Sequence, residues 1–343
     1  MHIPDGYLSP ATTIPAYAVM APVWGAAIHK TKKTLEKKSV PTLALCSAFS
    51  FLIMMFNIPI AGGSSAHAVG SVLIAILLGP WAAVISVSTT LLIQALVFGD
   101  GGILAFAMNC LNMAVIMPFT GYGVYRLFRG RADLHSGRGV AAAFAGGYVG
   151  VNLAALCAAV EFGVQPLLFR APNGAPLYCP YPVSVSVPAM AFAHGLVVGP
   201  IEGAVTAAAV AYLVKLAPEL FHQSRLPSNV PGESVLKRYK KVLVPFAVLI
   251  LLTPLGLLAS GTAFGEWSLE EIRQQLGYVP KGLAAMGDRW QSLFPDYSFP
   301  ALGGGTLGSV TGYLLSAVIG ILLILGLIFI SSKLIVKEPK GNR

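Results

Sequence analysis

The stretch HAVGSVLIAILLGPWAAVISVSTTLLIQALVF (67–98) decides the fold. A helix that crosses a bilayer needs about 20 apolar residues. The stretch is therefore either one long kinked helix or two helices parted at Gly79-Pro80. Its surroundings are those of a membrane protein. The 343 residues are 55% hydrophobic and only 11% charged, with mean hydropathy +0.73, whereas soluble domains carry about 25% charged residues. Other apolar runs cover roughly 14–28, 41–58, 103–119, 140–162, 189–214, 242–260 and 306–332.

Charge placement chooses between one helix and two. With two helices at 67–98 and the N-terminus outside, the inner segments are 29–40, 120–139, 215–241 and the tail from 333. These hold 19 of the 23 Lys and Arg residues; the outer segments hold only Arg170, Arg273, Lys281 and Arg289. A single helix would send alternate loops to the wrong side and break this positive-inside bias. The sequence predicts nine spans, with the N-terminus outside and the C-terminus inside. The net charge of +9 belongs to membrane topology and gives no reason to expect nucleic acid.

Residues 1–214 read as a seven-helix bundle with short loops. Residues 215–241, with Pro218, Pro227, Pro231 and the basic cluster Lys237, Arg238, Lys240 and Lys241, read as a cytoplasmic linker. Residues 242–343 read as a helical hairpin around a long outer loop, 261–305, that is rich in acids. The fold class is all-α, a polytopic membrane helical bundle in which lipid surrounds the spans. No internal repeat supports the inverted-repeat design of many secondary carriers.

The chain starts Met1-His2. A histidine at position 2 places the α-amine, the peptide nitrogen of His2 and its imidazole on one short tether. Three such nitrogens close two chelate rings on one ion, and a fourth from elsewhere would complete a planar set. Square-planar nitrogen ligation suits Ni(II) or Cu(II), with Co(II) a competitor. Residues 2–13 lack the basic and apolar regions of a signal peptide, and a bulky second residue blocks removal of the initiator Met. The amine of Met1 is therefore expected to persist, on the side where an ion arrives.

His67, among small residues at the outer start of the third span, is the candidate for the fourth nitrogen. Helix capping would also account for a lone histidine there. Asn109 and Asn112 lie three apart, on one helix face. They and Ser65 are candidates to orient His67, although interhelical hydrogen bonding would equally explain the two amides. Glu161 and His194, near the outer ends of their spans, read as a structural pair. Glu202, deeper in the seventh span, suits bundle packing or a partner contact. The four cysteines form no CxxC pair, so neither a disulfide framework nor thiolate ligation is expected. GxxxxGK[ST] and HExxH are absent, so the chain is not expected to be an enzyme and ATP hydrolysis would fall to another subunit.

The residues Met1-His2-Ile3-Pro4-Asp5-Gly6-Tyr7-Leu8-Ser9-Pro10, Gly63-Ser64-Ser65-Ala66-His67 and Ile201-Glu202-Gly203 closely resemble the CbiM/NikM family. These are the substrate-binding (S) components of cobalt and nickel energy-coupling-factor transporters. The resemblance covers about 1–214. Thr253-Pro254-Leu255-Gly256-Leu257-Leu258 and Gly265-Glu266-Trp267 resemble the small accessory N component, so the whole looks like a fusion of the NikMN type. The resemblance implies a protein of the prokaryotic cell (inner) membrane that binds its ion through Met1, His2 and His67 with four nitrogens. It implies no resident cofactor, a separate transmembrane coupling (T) subunit and a cytoplasmic ATPase. It further implies a small-residue stripe packing on the T subunit, for which Ala44 and Ala48 have the spacing. Pro4-Asp5-Gly6 and the run from Ser64 to Gly70 look more like nickel than cobalt members. A stand-alone ion-driven carrier, which would need a buried proton or sodium relay, and a membrane metal sensor remain as other readings.

Overall fold

The computed structural model describes residues 1–36, 39–61, 63–134, 136–221, 235–259, 261–287, 289–303 and 305–335. The chain runs α1 (Pro10–Thr34), α2 (Val40–Met54), β1 (Ile58–Ile60), β2 (Ser64–Ala66), α3 (Ser71–Leu78), α4 (Pro80–Ile93), α5 (Phe106–Asn109), α6 (Met117–Arg129), α7 (Gly137–Leu168), α8 (Val183–Ala193), α9 (Gly199–Leu216), α10 (Val235–Leu252), α11 (Leu269–Leu276), α12 (Lys281–Met286) and α13 (Thr306–Ile335). Wide π turns extend α4 over Gln94–Phe98, join α5 to α6 over Cys110–Ile116, and join α8 to α9 over His194–Val198. Among the described residues, five helical stretches are long and apolar enough to cross a membrane: Pro10–Thr34, Pro80–Phe98, Gly137–Leu168, Val183–Leu216 and Thr306–Leu334. The protein is thus a multi-pass helical membrane bundle.

The stretch 67–98 does part at Gly79-Pro80. Gly79 takes φ +91, a left-handed backbone that favours glycine, and Pro80 opens α4, where its missing N–H costs nothing. The third span, however, is not a full helix. Only Ser71–Leu78 is helical, about 12 Å at 1.5 Å per residue. Ahead of it come an antiparallel hairpin pairing Ile58 with Ala66 and Ile60 with Ser64, then irregular backbone through His67–Gly70. The sequence reading had no strand here. The interior of the expected linker, 222–234 with Pro227 and Pro231, lies outside the described residues.

Small residues set the helix spacing. On α7, Gly146 faces the Gly121 carbonyl of α6, and Gly150 faces the carbonyl of Met117. Gly147 lies against Glu202 and Gly203 of α9. A β-carbon at Gly146 would sit 2.6 Å from Gly121 O, so the two backbones pass as closely as glycine allows. The contact at Gly147 seats α9 close against α7, with Glu202 in the bundle core.

Ala44 and Ala48 of α2 are both fully buried. Ala48 lies in an apolar cluster with Phe51, Tyr313, Ala317 and Ile324, the last three from α13. The stripe that resemblance assigned to a coupling subunit is therefore covered within this chain. Small residues admit any close helix, and at Ala48 the C-terminal helix of the same chain takes the place. Tyr313 also donates its hydroxyl to Met55 O at 2.7 Å, which fixes α13 along α2.

At Gly320 of α13, a β-carbon would fall 2.2 Å from the buried Phe51 ring. Gly326, two turns on, has nothing within 4 Å. Gly320→Leu is expected to overpack this interface, at about 1–3 kcal/mol, and to lower the thermal unfolding temperature in detergent. Gly326→Leu should leave that temperature unchanged. Equal behaviour of the two variants would mean that α13 does not seat on α2 this way.

Candidate metal centre

The first nine residues are drawn into the protein. Met1, His2, Ile3, Tyr7, Leu8 and Ser9 are all at most 2% exposed. A buried terminus must place every backbone polar group, and other segments supply the partners. Asn109 of α5 makes two bonds to Ile3, accepting from its N–H at 2.8 Å and donating to its carbonyl at 3.0 Å. That carbonyl also accepts from Gly102 N at 2.9 Å. Asp5 accepts from the backbone N–H groups of Ile103, Leu104 and Ala105 at 3.1, 2.8 and 3.2 Å, which fits a carboxylate at a helix start. Burial nonetheless pushes the Asp5 carboxyl above its usual range, against those three bonds. Ser9 N donates to Gln165 Oε1 at 3.0 Å, and Tyr7 accepts from Cys179 N at 2.9 Å through its carbonyl. Gly101 and Gly102 leave the room: a β-carbon at Gly102 would lie 2.1 Å from Asp5 Oδ1.

His67 is held from the other side. Glu202, fully buried, accepts from Val69 N at 2.7 Å and from Gly70 N at 3.0 and 3.1 Å. Backbone that leaves helical geometry inside a bundle needs such partners, and they let the chain stay irregular at His67. His67 Nδ1 lies 3.0 Å from Ala68 O. A proton on Nδ1 directed there leaves a lone pair on Nε2.

The two histidines meet. His2 Nδ1 is 3.1 Å from His67 Nε2, and the rings lie 4.9 Å apart between centroids. The Met1 amine donates to Glu266 Oε1 at 2.6 Å. His2, His67 and Glu266 each offer a donor atom, and these atoms lie within 4.8 Å of one another. Asp100 Oδ1 sits 3.0 Å from His2 Nδ1. Its Oδ2 accepts from Tyr297 Oη at 2.5 Å and from Gln94 Nε2 at 3.2 Å. Burial, together with the Met1 ammonium and His2, holds His67 well below the usual imidazole range, so the ring is neutral and able to ligate at neutral pH. Burial works against ionisation of Asp100, yet the nearby His2 outweighs it and keeps that carboxyl low.

The structure brings Met1, His2 and His67 to one place, with Ser65 buried on β2 in the lining of the adjoining cavity. The other assignments fall differently. Asn109 orients the N-terminal segment and not His67. Asn112 does not reach the histidines; its Nδ2 donates to Glu161 Oε2 at 2.8 Å. The π turns that begin at Cys110 rotate residue 112 away from the face of residue 109. Glu161 and His194 are not a pair: His194 Nδ1 bonds Met190 O of its own helix at 3.0 Å. Of its two readings, Glu202 follows packing, since its burial closes it to any partner. Sequence reasoning missed Glu266 and Asp100 as neighbours of the cluster. Gly265-Glu266-Trp267 stood out only as a resemblance. Nothing in the sequence tied a loop 265 residues away to the terminus.

Comparison with known proteins identifies the family. Residues 2–220 match the profile of the cobalt uptake substrate-specific transmembrane region, and residues 240–337 match a PDGLE domain. A fused nickel transport protein of Rhodobacter capsulatus is 45% identical, over 97% of this chain and 98% of the relative. A probable fused nickel transport protein of Lactiplantibacillus plantarum is 46% identical over 96% of each. The crystal structure of a truncated transition metal transporter superposes with a TM-score of 0.59 at 53% identity, covering 63% of this chain and 99% of the other. The chain belongs to the cobalt uptake substrate-specific transmembrane family and carries a PDGLE domain behind that region.

Proposed function

We propose that the protein is the substrate-capture subunit of an ATP-driven nickel uptake system of the energy-coupling-factor type. It takes Ni(II) at the outer face through four nitrogens: the Met1 amine, the His2 amide, His2 Nδ1 and His67 Nε2. The observation that carries this reading is the approach of His2 Nδ1 to His67 Nε2 at 3.1 Å beside a buried Met1 amine. Metal–nitrogen bonds of about 2 Å put neighbouring donors of a square about 2.8 Å apart, so these two nitrogens already stand near the spacing of adjacent corners. The tether fixes the order around the square, with His67 next to His2 Nδ1 and opposite the amide. Nickel is favoured over cobalt because a planar nitrogen set suits it and because relatives matched over nearly the whole chain bear nickel names. A T subunit in the membrane and an ATPase in the cytoplasm would supply the energy, since this chain has no phosphate-binding loop. The chain itself then catalyses no reaction.

Three experiments bear on the reading. The chelate needs the amine of Met1 itself, so one extra residue before Met1 should abolish tight nickel binding while expression continues; full retention of nickel would sink the N-terminal chelate. His67→Ala should weaken binding by at least about tenfold, or 1.4 kcal/mol, by isothermal titration. His194→Ala should do less, because that ring bonds its own helix. A larger loss for His194→Ala would overturn the ligand set. In liposomes the chain alone should bind nickel and pass little of it, whereas a co-reconstituted T subunit and ATPase should give ATP-dependent uptake. Concentrative uptake by the lone chain under a proton gradient would instead make it a secondary carrier.

A further inference from the structure

We propose that Glu266 is the capture ligand: the carboxylate that takes the incoming ion first and hands it to the four buried nitrogens. The proposal rests on the four-nitrogen reading above and adds the route by which the ion reaches it. Accessibility separates Glu266 from the nitrogen donors. The Met1 amine belongs to a residue 2% exposed, His2 is 1% exposed and His67 is 3% exposed. The Glu266 side chain keeps 18% of its surface. An ion arriving with its hydration shell meets this oxygen donor before it meets any nitrogen.

Position completes the argument. Glu266 lies in the lining of a cavity of about 430 Å³ that also reaches His67, Asp5, Asp100, Asp296 and Tyr297. Its carboxylate stands within 4.8 Å of donor atoms on both imidazoles, so an ion can pass between them without returning to water. Glu266 Oε1 also holds the Met1 amine at 2.6 Å, so the carboxylate and the last donor to be freed are already in contact. As the ion engages Glu266, its positive charge competes for the bond that keeps the amine from ligating. Asp100 is about as exposed, at 19%, but Tyr297 and Gln94 already occupy its second oxygen. The Glu266 carboxylate has no second hydrogen-bond partner among the described residues. A hard oxygen ligand also suits the task, since it binds a hydrated divalent ion loosely and yields it to imidazole and amine nitrogen.

A ligand of the pathway alone lowers the barrier in both directions and leaves the end state alone. The test uses the purified full chain in nanodiscs, nickel(II) ions as the probe, and stopped-flow absorbance at the visible band of planar four-nitrogen nickel. Glu266→Gln keeps the shape and removes the charge. It should slow association at least about tenfold and slow release comparably, with the final spectrum the same as that of the unmodified chain. Glu270→Gln removes an exposed acid on the same hairpin (63% exposed) and should leave both rates alone. An unchanged association rate in Glu266→Gln would overturn the proposal, and so would a changed final spectrum, which would make Glu266 a permanent ligand. Equal slowing by Glu270→Gln would reduce the effect to general charge attraction and overturn it as well. Absence of the planar spectrum from the unmodified chain would instead sink the four-nitrogen reading, so the two failures are told apart.

Discussion

On the proposed reading, a donor set built on a chain terminus is useful only if the terminus cannot move. Free ends of proteins fray unless something ties them down. Here the first nine residues are tied by groups from widely separated parts of the sequence: Asn109 on Ile3, backbone donors of 103–105 on Asp5, Gln165 on Ser9, and Trp267 O accepting from the Tyr7 hydroxyl at 2.7 Å. Four segments therefore converge on one short peptide. The Gly101-Gly102 turn, the start of α5, the end of α7 and the 261–303 loop all take their positions from it. Ordering nine residues costs on the order of 1–2 kcal/mol each, and burial of Ile3, Tyr7 and Leu8 with satisfied backbone polar groups offsets that cost.

The second half of the site answers a different constraint. In the proposed ligand set His67 must present one nitrogen at a fixed place, and a helix would turn it out of reach. The chain solves this by delaying α3 until Ser71 and giving the freed N–H groups of Val69 and Gly70 to Glu202. Glu202 reaches them because glycines at 147 and 203 let α7 and α9 pass closely. A fully buried carboxylate on a distant helix thus sets the place of an imidazole near the surface. It also ties that imidazole mechanically to the membrane-embedded part of α9.

Much of this was legible in the sequence, for identifiable reasons. Composition and charge asymmetry are bulk properties, so the membrane bundle and the break at Gly79-Pro80 could be read directly. Met1 and His2 are adjacent by covalent bonding, and chelation by neighbours needs no fold. The remainder depended on features that a linear pattern hides. A π turn at Cys110–Ile116 separates Asn109 from Asn112, although α-helical spacing puts them on one face. Ala44 and Ala48 show the right spacing for a helix contact, but spacing cannot say which helix. Glu266 and Tyr297 lie in a loop without periodicity, and only tertiary structure brings them to His2 and Asp100.

The two parts of the chain consequently share one site. The hairpin's α13 lies along α2 through the cluster around Phe51 and Tyr313, and its outer loop supplies Glu266 to Met1 and Tyr297 to Asp100. These contacts act on the same few atoms from opposite sides. Tyr297 and Gln94 hold Asp100 against His2, while Glu266 alone holds the amine, at the more accessible edge. In the proposed site, a divalent ion that displaces the Met1 ammonium proton and one amide proton leaves in that buried place the one positive charge the ammonium carried before. Burial of a charge is costly unless it is paired. Asp100 stays in place beside His2 and can neutralise that charge. Fusing the hairpin to the bundle keeps Glu266 and Tyr297 at the terminus at a fixed, high effective concentration, which a separate subunit would have to achieve by binding.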